Sequence, residues 1–290
     1  MTGYIHEFKS NKKTFFCYII AIIPLILYGI YKNGILVYQK DLIGMGGIFK
    51  ILLIPLISVL VYELICFIIH KKFTFDSGLI DVLIVSLFVM PNINIFLYVG
   101  LLALGILLIY FISKKVTFNK MCFLKLFIVL GVILISKYSY LNLAEARFDY
   151  SFRAIDLLFG REVGGVFATN IFLGIASFIG FSLSTSYKKI IPVISYLVYF
   201  IILLVVMIIN KNYDLTILFN ANVILAFIFV GADSLSTPYT NKGLVIYSVC
   251  LGILTVIFSI LTNYFEGVFI AILLLSFIYK LFDLIKLKKA

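Results

Sequence analysis

Between residues 231 and 243 the chain reads GADSLSTPYTNKG. Asp233, Ser234, Ser236, Thr237, Thr240, Asn241 and Lys242 crowd a short stretch between two apolar runs. Such a cluster has two readings. It is a solvated turn with Pro238 and Gly243 as turn residues, or it is a break that faces a ligand or an ion. Two carboxylates raise a related question. Glu63 lies well inside one apolar run and Asp81 just inside another. Charges at membrane depth are costly and usually face an interior cavity or a partner. Either acid could pass an ion or a proton; the other reading is a structural hydrogen bond between helices. In FTFDSG (73–78), Asp76 or Ser77 reads as a helix N-cap.

Several chemistries are excluded. The two histidines, His6 and His70, both fall near the ends of apolar runs, which argues against a bis-histidine haem in a bundle. No phosphate-binding glycine loop, no Ser/His/Asp set and no metal-ligand spacing appears. Cys17, Cys66, Cys122 and Cys250 sit singly in apolar runs without CxxC spacing; they read as buried apolar cysteines, the alternative being a thiolate cluster assembled from several helices or shared with a partner subunit. The chain therefore carries no complete active site of its own.

The elements that position these residues are membrane helices. Hydrophobic residues make up 63% of the chain, too many for a water-soluble surface, so the lipid bilayer is its solvent. Ten apolar segments are expected, over 15–31, 51–70, 78–90, 95–113, 121–136, 164–183, 190–209, 216–231, 244–262 and 267–284. The basic start followed by an apolar run has no small-x-small cleavage site and reads as a retained first helix rather than a signal peptide. The third segment, GLIDVLIVSLFVM, reaches only about 20 Å, too short to cross, and stops at Pro91 and Asn92. The eighth resembles it and ends at Gly231-Ala232-Asp233.

The two halves repeat one another. IPLISVLVY (54–62) answers IPVISYLVY (191–199), LGILLIYF (104–111) answers LGILTVIF (251–258), and the two short segments answer each other in the same order. Five segments per unit is odd, so the second unit enters from the opposite face. The expectation is an all-α membrane protein of two inverted five-helix repeats, 1–136 and 164–290, joined by a loop over 137–163. Inverted repeats place their site near the midplane, where discontinuous segments meet.

Charge sets the orientation. The net charge of +11 comes from lysines between apolar runs, a positive-inside pattern rather than a nucleic-acid surface. The loops joined to both termini carry about fourteen Lys/Arg and the opposite side about eight, which puts both termini in the cytoplasm of a bacterial-type inner membrane. The 137–163 loop, with all three arginines, then faces outward.

From ADSLSTPYTNKG to NYFEGVFIAILLLSFIYKLFDLI the chain resembles the RnfD protein of the Rnf electron transport complex and its relative NqrB, from the sodium-pumping NADH:quinone oxidoreductase. The family pattern runs Thr-Asp-Pro-Val-Thr-x-Pro-x-Thr-x-Lys-Gly-Arg, then Gly-Tyr-Pro-Glu-Gly-Val, ending at Pro-Leu-Ile-Asp. Asp233, Pro238, Thr240, Lys242 and Gly243 match the first part; Tyr264, Glu266, Gly267 and Val268 match the second; Asp283 stands near the terminal Asp. Upstream, Asp76 and Pro91 have the family's separation, Glu63 after Tyr62 resembles a Phe-Glu pair, and FGREVGGVFATNIFLG resembles the Gly-rich entry to the sixth helix.

The resemblance implies a urea-transporter-like scaffold of ten helices and a membrane component of an ion-translocating, electron-transporting complex, with other membrane subunits as partners. Family members carry flavin, one FMN being attached to the Thr of a Ser-Gly-Ala-Thr motif in the joining loop. Here 137–163 holds no threonine, so no covalent FMN is expected. The expected cofactor is a noncovalent flavin, riboflavin or FMN, with Asn220, Asn222, Asp233, Ser236, Thr237 and Thr240 as its contacts and Glu63 and Asp81 as the ion or proton path. The alternative is a solute or ion channel or transporter on the same scaffold; a third reading is an assembly component without redox function.

Overall fold

The computed structural model describes residues 7–39, 43–71, 77–90, 93–113, 127, 130–131, 158–159, 165–182, 187–209, 218–232, 237–262 and 267–283. Among these there is no strand. In order the helices are α1 (Glu7–Gly29), α2 (Met45–His70), α3 (Ser77–Leu87), α4 (Ile95–Ser113), α5 (Ile171–Ser182), α6 (Ile190–Ile209), α7 (Ala221–Ala226), α8 (Asn241–Thr262) and α9 (Gly267–Asp283). Four helical stretches are long and apolar enough to cross a bilayer: Phe16–Gln39, Met45–Ile69, Ile190–Ile209 and Asn241–Leu261. The expected fifth segment (121–136) and the 137–163 connection lie almost wholly outside the described residues.

Two helices change pitch. α1 continues into a π-helical stretch, Ile30–Leu36, and a final α turn, Val37–Gln39. α7 continues as a π-helix over Phe227–Gly231. The first expected segment, 15–31, therefore ends too early. Lys32 and Asn33 look like loop residues in sequence, but the π-helical turn carries them inside, where both are buried. π-helical turns are uncommon and concentrate at functional sites.

The short segments are short for identifiable reasons. α3 has 11 residues, about 17 Å of helix. α7 starts at Ala221 because Asn220 caps it: its Oδ1 accepts from Asn222 N (2.8 Å) and Val223 N (3.3 Å). The sixth expected segment, 164–183, is helical only from Ile171. Asn170 caps it, its Oδ1 accepting from Leu173 N at 2.9 Å, and 165–170 stay non-helical.

The core is the short helix α7 and what surrounds it. Every residue from Asn220 to Ala232 is buried. Phe229 meets Phe181 of α5 edge-on (5.3 Å), and Phe227 meets Tyr199 of α6 (6.2 Å). A lipid-facing surface remains apolar, and the outward sides of α2 and α6 carry Leu56, Leu60, Val193, Leu197 and Ile201, all exposed. Between helices, small residues permit close approach. A Cβ on Gly252 of α8 would stand 2.7 Å from Ser195 O and 2.8 Å from Val198 Cβ of α6.

The repeated phrase presents the same face twice. Ile54, Ser58 and Tyr62 are buried, as are Ile191, Ser195 and Tyr199, while Leu56 and Leu60 are exposed like Val193 and Leu197. Ser58 reaches across to α4, its hydroxyl 2.6 Å from Tyr98 Oη. Ser195 reaches across to α8, donating to Ser248 O at 3.0 Å. The two phrases thus bury matching faces, one serine bonding to α4 and the other to α8.

Candidate functional site

The non-helical backbone of the two halves meets at one buried junction. The C-terminal end of α3 leaves carbonyls that no further turn can satisfy. Residues 166–168 supply the donors: Val166 N to Val89 O (2.6 Å), and Phe167 N (3.2 Å) and Ala168 N (3.0 Å) to Leu87 O. Gly165 N donates to Asn222 Oδ1 at 3.0 Å, which ties the same stretch to α7. The Asn33 side-chain amide donates to Val166 O, which ties it to the π-helical stretch after α1. Backbone of this kind is tolerated at membrane depth only where protein buries it or a cavity is lined by it.

Glycine makes the junction possible. A Cβ on Gly165 would lie 2.5 Å from Leu87 O and 2.7 Å from Phe88 Cα, both backbone atoms that cannot step aside. A Cβ on Gly29 would strike Phe167 and Val166 O. Asn33 and Asn222 bond this backbone, Thr169, Asn170 and Asn220 adjoin it along the chain, and all five are buried. Two of their atoms, Thr169 Oγ1 and Asn220 Nδ2, have no hydrogen-bond partner among the described residues. Phe88 brings an aromatic ring, edge-on to Phe269 at 5.0 Å.

A second polar centre lies beyond the other end of α7. Lys188 Nζ donates to Thr237 Oγ1 (2.7 Å), Thr237 O (3.0 Å) and Pro238 O (2.8 Å), and stands 4.8 Å over the Tyr239 ring. Asp283, at the end of α9, accepts from Tyr239 N (3.0 Å), Thr240 N (2.9 Å) and Thr240 Oγ1 (2.9 Å). Thr240 Oγ1 also accepts from Gly243 N at 3.1 Å and so caps α8. Burial alone would push the Asp283 carboxyl up. The Thr240 and Tyr239 backbone N–H groups, the Thr240 hydroxyl and the Lys188 charge outweigh it and hold that carboxyl below the ordinary carboxylate range. Next to Lys188, Tyr187 Oη donates to Ile228 O (3.0 Å) in the π-helical turn. Residues 187–188 therefore hold both α7 and the approach to α8.

The third polar feature is the α2–α3 hairpin. Glu63 and Asp81 are both buried, and Tyr62 Oη lies where a Cβ of Gly78 would be. In the second unit the position after the matching tyrosine is Phe200, so the acid belongs to the first half alone.

The model of the NQR2, RnfD, RnfE family matches residues 1–290. The chain belongs to that family. Among curated proteins none matches the chain. Membership of the NQR2, RnfD, RnfE family makes this a multi-pass membrane component of an Rnf/Nqr-type electron transport complex. It also gives the family motif a physical meaning here. Pro238, Thr240 and Gly243 are parts of the bracket around Asp283, and a Cβ on Gly243 would press on Thr240 Oγ1 (2.7 Å), Asp283 Oδ1 (3.0 Å) and Pro238 Cβ (3.0 Å). Lys242 is exposed. Gly267 opens α9 against Ser259 of α8.

Four of the six expected flavin contacts, Asn220, Asn222, Thr237 and Thr240, fall on described residues. Asn220 and Asn222 stand at the start of α7, and Thr237 and Thr240 lie just before α8. The hydroxyls of Thr237 and Thr240 are engaged by Lys188 and Asp283. Asp233, Ser236, Asp76, Pro91, Tyr264 and Glu266 lie outside the described residues. Sequence reasoning passed over Lys32, Asn33, Thr169 and Asn170. Their signal is visible: YKNG and ATN are polar interruptions at the edges of apolar runs, beside glycines.

Proposed function

We propose that this chain carries a noncovalent flavin within the membrane part of an ion-coupled electron transport complex of the Rnf/Nqr type. The observation that carries the reading is the buried junction of 87–89, 165–170 and 220–222. It joins non-helical backbone before α5 to the ends of two short helices, holds two buried polar atoms without a partner among the described residues and has an aromatic pair beside it. An amide N–H and a hydroxyl, which can donate or accept, are groups that could hydrogen-bond a flavin ring. A bound flavin supplies the electron chemistry; the chain supplies burial, orientation and polar contacts.

The scaffold is part of the same reading. Two inverted five-helix repeats, 1–136 and 164–290, flank an outward loop over 137–163, with both termini in the cytoplasm of a bacterial inner membrane. The matching faces of 54–62 and 191–199 support the duplication. The Lys188–Thr237 and Thr240–Asp283 bonds gather the approach to α6, the approach to α8 and the end of α9 at one end of the bundle, in keeping with the charge count. The 137–163 loop carries no threonine, and the flavin is accordingly proposed to be held without a phosphoester link. Glu63 and Asp81 are proposed as the ion or proton path, in the half that keeps its acids.

The test is direct. The purified protein in mild detergent is expected to show a flavin absorption spectrum, and acid precipitation should release that flavin into the supernatant. Flavin that stays with the precipitate overturns the noncovalent assignment. A colourless protein that passes ions or small solutes on its own in liposomes overturns the redox reading in favour of a transporter.

A further inference from the structure

Two exposed lysines stand at the head of two lipid-facing stripes. α6 and α8 lie side by side and run in the same direction. Lys188 bonds Thr237 and Pro238, Ser195 bonds Ser248 O, and Gly252 packs on Ser195 and Val198, so the contacts advance together along both chains. On α6, Val193, Leu197 and Ile201 are exposed at helical spacing, and Lys189, in the turn that leads into the helix, precedes them by the same step. On α8, Val245, Ile253 and Ile257 are exposed, and the exposed Lys242 shares the face of Val245 one turn earlier. Tyr239 is 72% exposed just ahead of Lys242, and its ring stands 4.8 Å from Lys188 Nζ. The bracket at Lys188 thus brings both stripe heads and the tyrosine to one corner.

Lys188 is engaged inside the bracket; Lys189 and Lys242 are not. Among the described residues neither side chain makes an ion pair or a hydrogen bond. The nearby carboxylate of Asp283 already accepts from Tyr239 N, Thr240 N and Thr240 Oγ1. Packing does not ask for either charge. Aligning IPLIS with IPVIS sets Leu52 opposite Lys189, and aligning the two LGIL phrases sets Ile95 opposite Lys242. α2 and α4 form with those apolar residues in place. Acyl chains cover the exposed stripes of a membrane helix, so the headgroup of a lipid seated on them stands level with the two lysines. Lysines at that level attract anionic headgroups, and an exposed tyrosine there has the place of an interfacial aromatic ring.

We propose that Lys189 and Lys242 bind the phosphate of an anionic bilayer phospholipid whose acyl chains lie along α6 and α8, with Tyr239 beside the headgroup. The lipid bridges the starts of the two helices from the bilayer side, where Lys188 joins them from the protein side. The site is independent of any flavin and rests only on the chain's place in a membrane.

The experiment uses the full chain, delipidated in mild detergent and titrated with phosphatidylglycerol or phosphatidylcholine in mixed micelles, with bound lipid counted by native mass spectrometry. The wild type is expected to retain phosphatidylglycerol in preference to phosphatidylcholine. The double variant Lys189→Gln, Lys242→Gln is expected to bind phosphatidylglycerol roughly fivefold more weakly for each lysine lost, with phosphatidylcholine unchanged. Without lipid it should unfold at the wild-type temperature. The pair Lys189→Arg, Lys242→Arg should bind like the wild type. Lys71→Gln, at an exposed lysine beyond the end of α2, should leave phosphatidylglycerol binding as it is. Equal retention of the two lipids by the wild type overturns the proposal. So does a phosphatidylglycerol preference that survives the glutamine pair, which would leave the lysines only a part in orienting the helices. An equal loss in Lys71→Gln means general charge attraction, and displacement of the lipid by inorganic phosphate means a site for free anions; either result overturns it. Early unfolding of the glutamine pair without lipid marks the lysines as structural groups and overturns it as well.

Discussion

The Thr240 hydroxyl sits between two partners: it donates to Asp283 Oδ1 at 2.9 Å and accepts from Gly243 N at 3.1 Å. One side chain thereby caps α8 and joins it to the far end of α9. Two backbone N–H groups at the same helix start, those of Tyr239 and Thr240, also bond to Asp283. A carboxylate there suits the positive end of the α8 dipole. Thr240→Val removes the cap and the bridge together. It should lower stability by about 1–2 kcal/mol, read as a lower thermal unfolding temperature in detergent. An unchanged unfolding temperature would mean that the bracket contributes nothing.

The Asp283 carboxyl is held below its ordinary range, and the sign of the pH effect follows. Its contribution is complete above the unfolded carboxylate value, about 3.9, and is lost as pH falls through the lower folded value. Wild-type protein should therefore lose unfolding temperature on acidification in this window more steeply than Asp283→Asn. Parallel pH profiles for the two proteins would show that Asp283 is not the group responsible.

Lys188 bonds three oxygens of 237–238 with one ammonium. Lys188→Met leaves those oxygens without their donor, and a loss of roughly 1–3 kcal/mol is expected. Lys188→Arg should recover little, because a planar fork does not reproduce three converging bonds to a point donor. Full rescue by arginine in an unfolding assay would show that charge alone matters.

Glycines separate into two kinds. Gly165→Ala places a methyl group 2.5 Å from a backbone oxygen at the junction, with no side chain able to yield. The variant should fail to accumulate in the membrane, or lose several kcal/mol (about 3 or more). Gly100 and Gly180 have open space around them and lie within helices, so alanine there should be neutral or stabilise by about 0.5–1 kcal/mol. Equal expression of Gly165→Ala and Gly100→Ala would remove the steric argument.

The pairing of Ser58 with Tyr98 ties α2 to α4 inside the first half. A double-mutant cycle of Ser58→Ala and Tyr98→Phe should return a coupling of about 0.5–1.5 kcal/mol. Strict additivity of the two losses would break the equivalence drawn with Ser195 and Ser248.

Much of the architecture is written in local sequence. Apolar runs, lysine placement and the doubled IPxIS phrase depend on composition and spacing, and the helices over 95–113 and 190–209 fall where those signals put them. Family membership was legible from Pro238, Thr240, Gly243 and Asp283 for the same reason. What those residues touch was not. Thr237 and Thr240 are only polar letters in the sequence, and the fold alone decides that Lys188 and Asp283, 49 and 43 residues away, bond their hydroxyls. Lys32 and Asn33 read as loop until a π-helical turn carries them inward. The non-helical stretch 165–168 is fixed by carbonyls at the end of α3, nearly 80 residues earlier in the chain. Local propensity sets which residues can be helical; only the packing of distant segments decides where backbone must stop being helical, and which polar atoms are left without a partner.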